Sequence, residues 1–172
     1  MNDYDTDLVL WSERQAALLR RAGSGGRVND QVDWENVAEE IEVLGRSDRR
    51  ELHNRVASIQ ARLIKLLTSP ADAPRTRWRE TILEQRRRVV RLLKESPSLR
   101  LDLPRVILEE LGDARAQAAI ALQGYSAQPL VDPAGLEFTA EQVLGPRAAM
   151  SGAAANRLPG LDWGSCPIHE RA

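Results

Sequence analysis

Apolar side chains recur at heptad spacing in the middle of the chain, and this pattern constrains the fold more than any other feature. The first run steps by four, three, four and three residues, and consists of Leu52, Val56, Ile59, Leu63 and Leu66. A second run with the same steps consists of Trp78, Ile82, Gln85, Val89 and Leu92, and all of these except Gln85 are apolar. Such spacing places side chains on one face of a helix. The two runs therefore predict two amphipathic helices.

A short segment bounded by proline, residues 69–74, separates the two runs and reads Ser-Pro-Ala-Asp-Ala-Pro. Proline ends a helix because it has no amide hydrogen and its ring clashes with the preceding turn. Two helices of similar length joined by a short loop form an antiparallel hairpin. We therefore predict a hairpin within the chain. Pairing of the heptads with another chain, as a coiled coil, is the alternative that stays open.

Two helices are predicted before the hairpin. The first runs from about residue 7 to residue 22, with Asp5 or Thr6 as its cap, because a short side-chain oxygen can accept an unpaired amide. The second covers residues 34–44 and ends at Gly45, since glycine weakens a helix interior. A sharp bend at this glycine would then separate the second helix from the hairpin.

Two more helices are predicted after the hairpin. A long one covers residues 104–122, and a short one starts at its cap, Thr139, and stops at Gly145. The chain is therefore expected to be all-α, a bundle of about five main helices built on the antiparallel hairpin, with a short C-terminal helix. We predict a helical domain over residues 1–146 and an Ala/Gly-rich tail over 147–172.

The composition favours helices over sheets. Hydrophobic residues make up 42% of the chain but aromatic residues only 4%, whereas strands draw on aromatic and β-branched residues. Trp11, Trp34 and Trp78 are the candidate core aromatics, because each lies on an apolar stripe. In the tail, we expect Trp163 to dock into an apolar groove of its own bundle or of a neighbouring chain.

Charge and cysteine usage limit the compartment and the partners. The net charge is −1 with 28% charged residues, which argues against a dedicated nucleic-acid coat. The single cysteine, Cys166, excludes an internal disulfide and fits a reducing compartment. The acidic start of the chain is unlike a signal peptide, and no apolar run is long enough for a membrane span. A cytoplasmic protein without membrane contact is expected.

Three stretches of the chain carry distinctive motifs. They are residues 4–20, which begin Tyr-Asp-Thr-Asp-Leu, residues 33–47, which contain Trp-Glu-Asn and Glu-Glu-Ile-Glu, and residues 78–86, which begin Trp-Arg-Glu-Thr-Ile. In this order they resemble the bacterial family called domain of unknown function twenty-nine, over roughly residues 3–145. The resemblance implies an all-helical fold in a bacterial protein, and it implies no activity.

Three glutamates lie on one flank of the second predicted helix. Glu35, Glu39 and Glu42 fall within about 60° of each other on a helical wheel. Carboxylate oxygens suit divalent metals, so a carboxylate-metal enzyme is one alternative function. Neither histidine follows a glutamate by three residues, as helical di-iron sites require. A flank paired with arginines is the preferred interpretation.

The fourth predicted helix is rich in cations. They are Arg75, Arg77, Arg79, Arg86, Arg87, Arg88, Arg91 and Lys94. Such density could neutralise phosphates, so a nucleic-acid-associated protein is the second alternative. Nucleic acid is nevertheless an unlikely partner, because Glu80 and Glu84 can pair with Arg87 and Arg88, and no exposed aromatic is present to stack on bases.

Two arginines of this helix lie at the edge of its apolar face, where their side chains should be half-buried. A half-buried guanidinium needs a partner, and a carboxylate fits its planar fork. We therefore predict a structural ion-pair network between the second and the fourth predicted helices. Its members are Glu35, Glu39, Glu42, Arg79 and Arg86.

No catalytic residue, cofactor site or metal site is assigned from the sequence. The preferred interpretation is a non-catalytic interaction or adaptor protein, because the helices are long and amphipathic and the charge is balanced. A protein partner or self-association is expected, with the partner unidentified.

Overall fold

The chain is helical in the computed structural model, which describes residues 3–25, 32–70, 74–123 and 129–145. These ranges hold six α-helices and no strand. The helices are α1 (Asp3–Thr6), α2 (Leu8–Ser24), α3 (Trp34–Thr68), α4 (Arg75–Glu95), α5 (Leu99–Gln123) and α6 (Ala140–Leu144). One turn of 3-10 helix, Pro133–Gly135, precedes α6. The predicted all-α bundle is confirmed.

The longest helix, α3, joins the second and third predicted helices into one. It passes through Gly45 without a break, so the predicted bend was wrong. Gly45 is buried against α2, where a side chain would collide with the Ser12 hydroxyl and lie 3.4 Å from Cα of Val9. The glycine therefore permits close contact of two helices, and this contact outweighs its helix-weakening effect of about 1 kcal/mol.

The hairpin of α3 and α4 is antiparallel, as predicted. Asp48 of α3 bonds Ser96, which follows α4, and Arg55 bonds Gln85 nearer the loop. All five heptad residues of α3 are buried, and on α4 only Gln85 of the second run is partly exposed. The two seams therefore face a common core within one chain.

The third wall of the core is α5, which packs on α3. It begins at Leu99, before the predicted start, and contains Pro104 near its beginning. The side-chain amide of Gln60, in α3, donates to the Ile107 carbonyl at 2.9 Å, a buried link between the two helices. The buried face of α5 comprises Leu99, Leu103, Val106, Ile107, Leu111, Ala114, Ala118 and Leu122.

The cap of α2 is Asp7, and neither Asp5 nor Thr6 has this role. Because α1 occupies residues 3–6, Asp7 is the extended residue between the two helices, with φ −159° and ψ 94°. Its carboxylate accepts the Leu10 amide at 2.9 Å. The same carboxylate accepts the backbone N–H of Ser98 at 2.6 Å and the Ser98 hydroxyl at 2.9 Å. One side chain thus joins the start of α2 to the start of α5.

The short C-terminal helix, α6, starts and stops where the sequence predicts. Thr139 and Gln142 form a reciprocal capping box, and Gly145 ends the helix with φ 85°. The tail at 147–172, with the docking expected of Trp163, lies outside the described residues. The domain boundary at residue 146 therefore stays a prediction. None of the helices in the described ranges is long and apolar enough to span a membrane.

Candidate functional site

The glutamate flank of α3 is held by an arginine of α2. Nε of Arg20 donates to Glu35 at 2.8 Å, and its two terminal nitrogens donate to Glu42 at 2.6 and 3.1 Å. Arg46 lies 3.4 Å from Glu42 and 3.9 Å from Glu39. The hydrogen bond from Arg20 lowers the pKa of Glu42. The carboxylates are thus paired with cations of α2 and α3, and not with Arg79 and Arg86 as predicted.

The sequence contains a signal for Arg20 that the helical-wheel reasoning missed. A short connection between α2 and α3 makes them antiparallel neighbours, so the end of α2 must lie beside the start of α3. Arg20 stands near that end, and Glu35 and Glu42 stand near that start. The pairing can be inferred from the topology of α2 and α3, whereas a helical wheel of α3 alone gives no information about contacts with another helix.

Arg86 is buried, with 8% of its surface exposed, and it donates to two backbone carbonyls. Its Nε donates to the Val143 carbonyl at 2.9 Å and Nη2 donates to the Gln142 carbonyl at 2.6 Å. Burial lowers the pKa of Arg86 to about 10. A side chain at Gly145 would lie 3.1 Å from Nη1. Arg86 therefore fastens α6 to α4, a structural role in the core.

Arg79 is exposed on α4, and among the described residues no ion pair includes it. The same outer face of α4 carries Arg87, Arg88, Arg91 and Lys94. Of the predicted glutamate pairs on this face, Glu84 with Arg88 forms at 2.6 Å. The cationic ridge is thus only partly neutralised within the described part of the chain.

Only one of the three candidate core aromatics is in the core. Trp78 has 8% of its surface exposed, while Trp11 and Trp34 are half-buried at the edge of the bundle. The Trp11 ring meets Tyr4 edge-on, with centroids 4.9 Å apart. Trp34 lies against Gly23, where an added Cβ would come within 2.7 Å of the Trp34 Cβ. These two rings cover helix ends.

A second apolar face of α5 points to solvent, opposite the face that packs on α3. Leu101 is 86% exposed, Leu108 69% and Ile120 70%. The exposed residues between them include Pro104, Gly112, Ala116 and Ala119. All except Ile120 lie within about 60° of Leu101 around the helix. Sequence reasoning missed this face because it followed only the buried stripe, although Leu101 and Leu108 stand at heptad spacing.

The family model described as "Domain of unknown function DUF29" matches residues 4–147. The chain belongs to this family. The resemblance seen in the sequence is thereby confirmed over nearly the same residues. The description of DUF29 assigns no activity, so the function of this member must be argued from its surfaces.

One solved structure similar to this DUF29 chain is an alpha-helical protein of unknown function from Rhodospirillum rubrum. The two chains are 28% identical, with a TM-score of 0.65, and the match covers 84% of this chain and 90% of that chain. No curated protein matches. The neighbour supports the DUF29 helical fold and names no ligand.

In the part of this DUF29 chain that the structure describes, no three His, Cys, Asp or Glu side chains are placed so that they could hold a metal ion together. The outer face of α5 and the groove between α3 and α4 are the surfaces with distinctive chemistry. The first is apolar and exposed, and the second is concave and polar.

Proposed function

We propose that this DUF29 protein is a non-catalytic interaction protein whose binding surface is the outer face of α5, and that the first partner of this face is a second copy of the chain. The observation that carries the proposal is the exposure of Leu101 and Leu108 on one side of a helix. Contiguous exposed apolar surface is typical of protein interaction sites, and burying it contributes about 25 cal/mol per Å2.

The order of large and small residues on this face supports a second copy as the occupant. The first half carries Leu101, Pro104 and Leu108, and the second half carries Gly112, Ala116 and Ala119. In an antiparallel pair with its twofold axis at residue 110, each large residue meets a small one. Leu108 would lie opposite Gly112 of the second copy, and Leu101 opposite Ala119 of the second copy. A twofold interface requires such self-complementarity.

Charged residues lie on and beside this face, and Arg105 stands about 40° from Leu101 around the helix. Arg105 donates to Glu109 at 2.8 Å and to Asp102 at 3.3 Å, both in its own helix. Because these charges are already paired, docking would not leave them without partners.

The glutamate flank supports binding over metal catalysis. The guanidinium of Arg20 contacts Glu35 and Glu42 directly, so these carboxylates already have a cation. We place the protein in the bacterial cytoplasm, where its lone Cys166 would stay reduced.

Sedimentation or light scattering over micromolar concentrations tests the proposal. The wild-type chain should approach twice the monomer mass, and Leu108→Glu should remain monomeric because a charge would be buried at the twofold axis. Leu18→Glu is the matched control, since Leu18 is 57% exposed on α2 and its change should leave the mass unaltered.

Two results would contradict pairing through α5. One is a wild-type chain that stays monomeric throughout the concentration range. The other is an equal loss of mass in Leu18→Glu and Leu108→Glu. A monomer that binds an apolar dye only after residues 147–172 are deleted would assign the face to the tail of the same chain.

A further inference from the structure

A concave site lies between the C-terminal half of α3 and the first turns of α4. The cavity has a volume of about 270 Å³ and is lined by Arg62, Lys65, Pro74, Arg77, Trp78 and Thr81. Three of these residues are cations and none is acidic. The cavity is on the hairpin, away from the exposed face of α5.

The cations of this cavity have no carboxylate partner within the described ranges. A terminal nitrogen of Arg62 donates to the Ser58 carbonyl at 3.0 Å and to the Ser58 hydroxyl at 2.9 Å, both neutral groups. Elsewhere, by contrast, Arg20, Arg49, Arg55 and Arg105 each contact a carboxylate. The cavity therefore brings three cations together without a carboxylate to balance them within the described ranges.

Burial makes this concentration of charge unfavourable. Partial burial lowers the pKa of Arg62 and of Lys65, and the neighbouring Arg62 charge lowers that of Lys65 further. The first turn of α4 contains no acidic residue, and its cap, Pro74, offers no side-chain hydrogen bond. The dipole of α4 adds positive potential at that end. A bound anion would relieve this repulsion.

The size and walls of the cavity indicate which anion fits. A volume of about 270 Å³ holds one or two phosphoryl groups, and arginine forks match their oxygens in a bidentate way. A second recess between α3 and α4, of about 600 Å³, is lined by polar residues. They are Ser47, Arg50, Glu51, Asn54, Arg55, Ser58 and Gln85. The three cations and Thr81 of the cavity itself suit a polar molecule better than a lipid chain.

We propose that this cavity binds the phosphoryl group of a small, polar, phosphorylated molecule, with Arg62 and Arg77 reaching it from opposite helices and Lys65 contributing a third positive charge. A nucleic-acid strand is a poorer fit. Trp78 is buried and cannot stack on a base, and the cavity accepts only one or two phosphates.

Calorimetric titration of the full chain with pyrophosphate tests this proposal. Saturable binding is expected, and Arg62→Gln combined with Arg77→Gln should weaken it by about tenfold or more. Arg87→Gln is the matched control, because Arg87 is exposed on the outer face of α4, and it should leave the affinity unchanged. Circular dichroism establishes that each variant is folded, and Lys65→Met provides an independent second variant.

Several outcomes would overturn the proposal. They are a wild-type chain that does not bind pyrophosphate, an equal loss in Arg87→Gln, and full binding by both folded cavity variants. Binding of single-stranded RNA without binding of pyrophosphate, lost in the double variant, would assign the site to nucleic acid. None of these results depends on the face of α5, which is tested by mass alone.

Discussion

Asp7 accepts the backbone N–H of Ser98 at 2.6 Å, across 91 residues of sequence. The same carboxylate accepts the Leu10 amide in the first turn of α2. A single buried side chain thus satisfies amides at the beginnings of two helices. This link closes the bundle at one end, because it ties the first long helix to the last.

Removal of this carboxylate should be costly. Asp7→Ala deletes a helix cap, worth about 1 kcal/mol, and leaves the Ser98 amide without its partner, at about 1–3 kcal/mol. We expect the free energy of unfolding, measured by urea denaturation, to fall by about 2–4 kcal/mol. Asp5→Ala is the control, since Asp5 is exposed on α1, and should change it by less than about 0.5 kcal/mol. Equal losses would show that Asp7 is not the cap.

Gly45→Ala should destabilise the protein, although alanine is the better helix former. The new methyl group would meet the Ser12 hydroxyl and Val9 of α2, and overpacking of this kind costs about 1–3 kcal/mol. The same change at Gly112, which has open space around it, should stabilise dilute monomer by about 0.5–1 kcal/mol. The double variant Gly45→Ala, Ser12→Ala lacks the hydroxyl that the methyl group would meet, so urea denaturation should show part of the lost stability restored. A stabilising Gly45→Ala would mean that the two helices are not in close contact.

The two tryptophans that begin apolar stripes should differ in their contribution. Trp78→Ala removes a ring that is 8% exposed, and should lower the free energy of unfolding by about 3–5 kcal/mol. Trp34 is half-buried, so Trp34→Ala should cost about half as much or less. Thermal and urea denaturation measure both. Equal losses would place the Trp34 ring in the core, as the sequence alone predicts.

Asp48 makes the stability depend on pH. Burial raises its pKa, the neighbouring carboxylates Glu51, Glu95 and Asp7 raise it further, and the hydrogen bond from Ser96 opposes the shift. A carboxyl group whose pKa is raised in the folded state destabilises the fold when ionised, and this effect disappears as the pH falls through that raised pKa. Asp48→Asn should therefore melt above the wild type at pH 7. The difference between the two melting temperatures should become smaller towards pH 4. A difference that grows on acidification would contradict a raised pKa for Asp48.

The sequence predicts the hairpin well because heptad spacing directly reports which side chains are buried. It fails at Gly45 because the deciding atoms, in Ser12 and Val9, belong to another helix. By helix propensity alone, glycine favours the end of a helix. The close packing of α2 on α3 instead requires a residue without a side chain at this position. Similarly, Asp7 is the cap of α2 only because α1 precedes it. Single-residue capping propensities do not predict α1, so they do not distinguish Asp7 from Asp5 or Thr6.

The candidate surfaces were less predictable than the fold. The sequence indicates that Arg86 needs a partner. Two of the groups it binds are backbone carbonyls of α6, 56 and 57 residues away, and backbone carbonyls carry no residue-type signal. The cavity proposed to bind a phosphoryl group combines Arg62 and Lys65 of α3 with Arg77 of α4. The cations along α4 alone indicate a cationic ridge. The cavity can be recognised only when the register of α3 against α4 is known.

The unbroken course of α3 determines where the chain can change in length. Its 35 residues form a rod of about 50 Å, with α2 bound to its first half and α4 to its second. One residue inserted beside Gly45 would rotate everything beyond it by about 100°. Glu42 would still face Arg20, but Leu52 and the rest of the seam would turn away from α4. Single-residue insertions and deletions within α3 should therefore be rejected, and thermal denaturation of a chain with one alanine inserted after Gly45 would measure the loss.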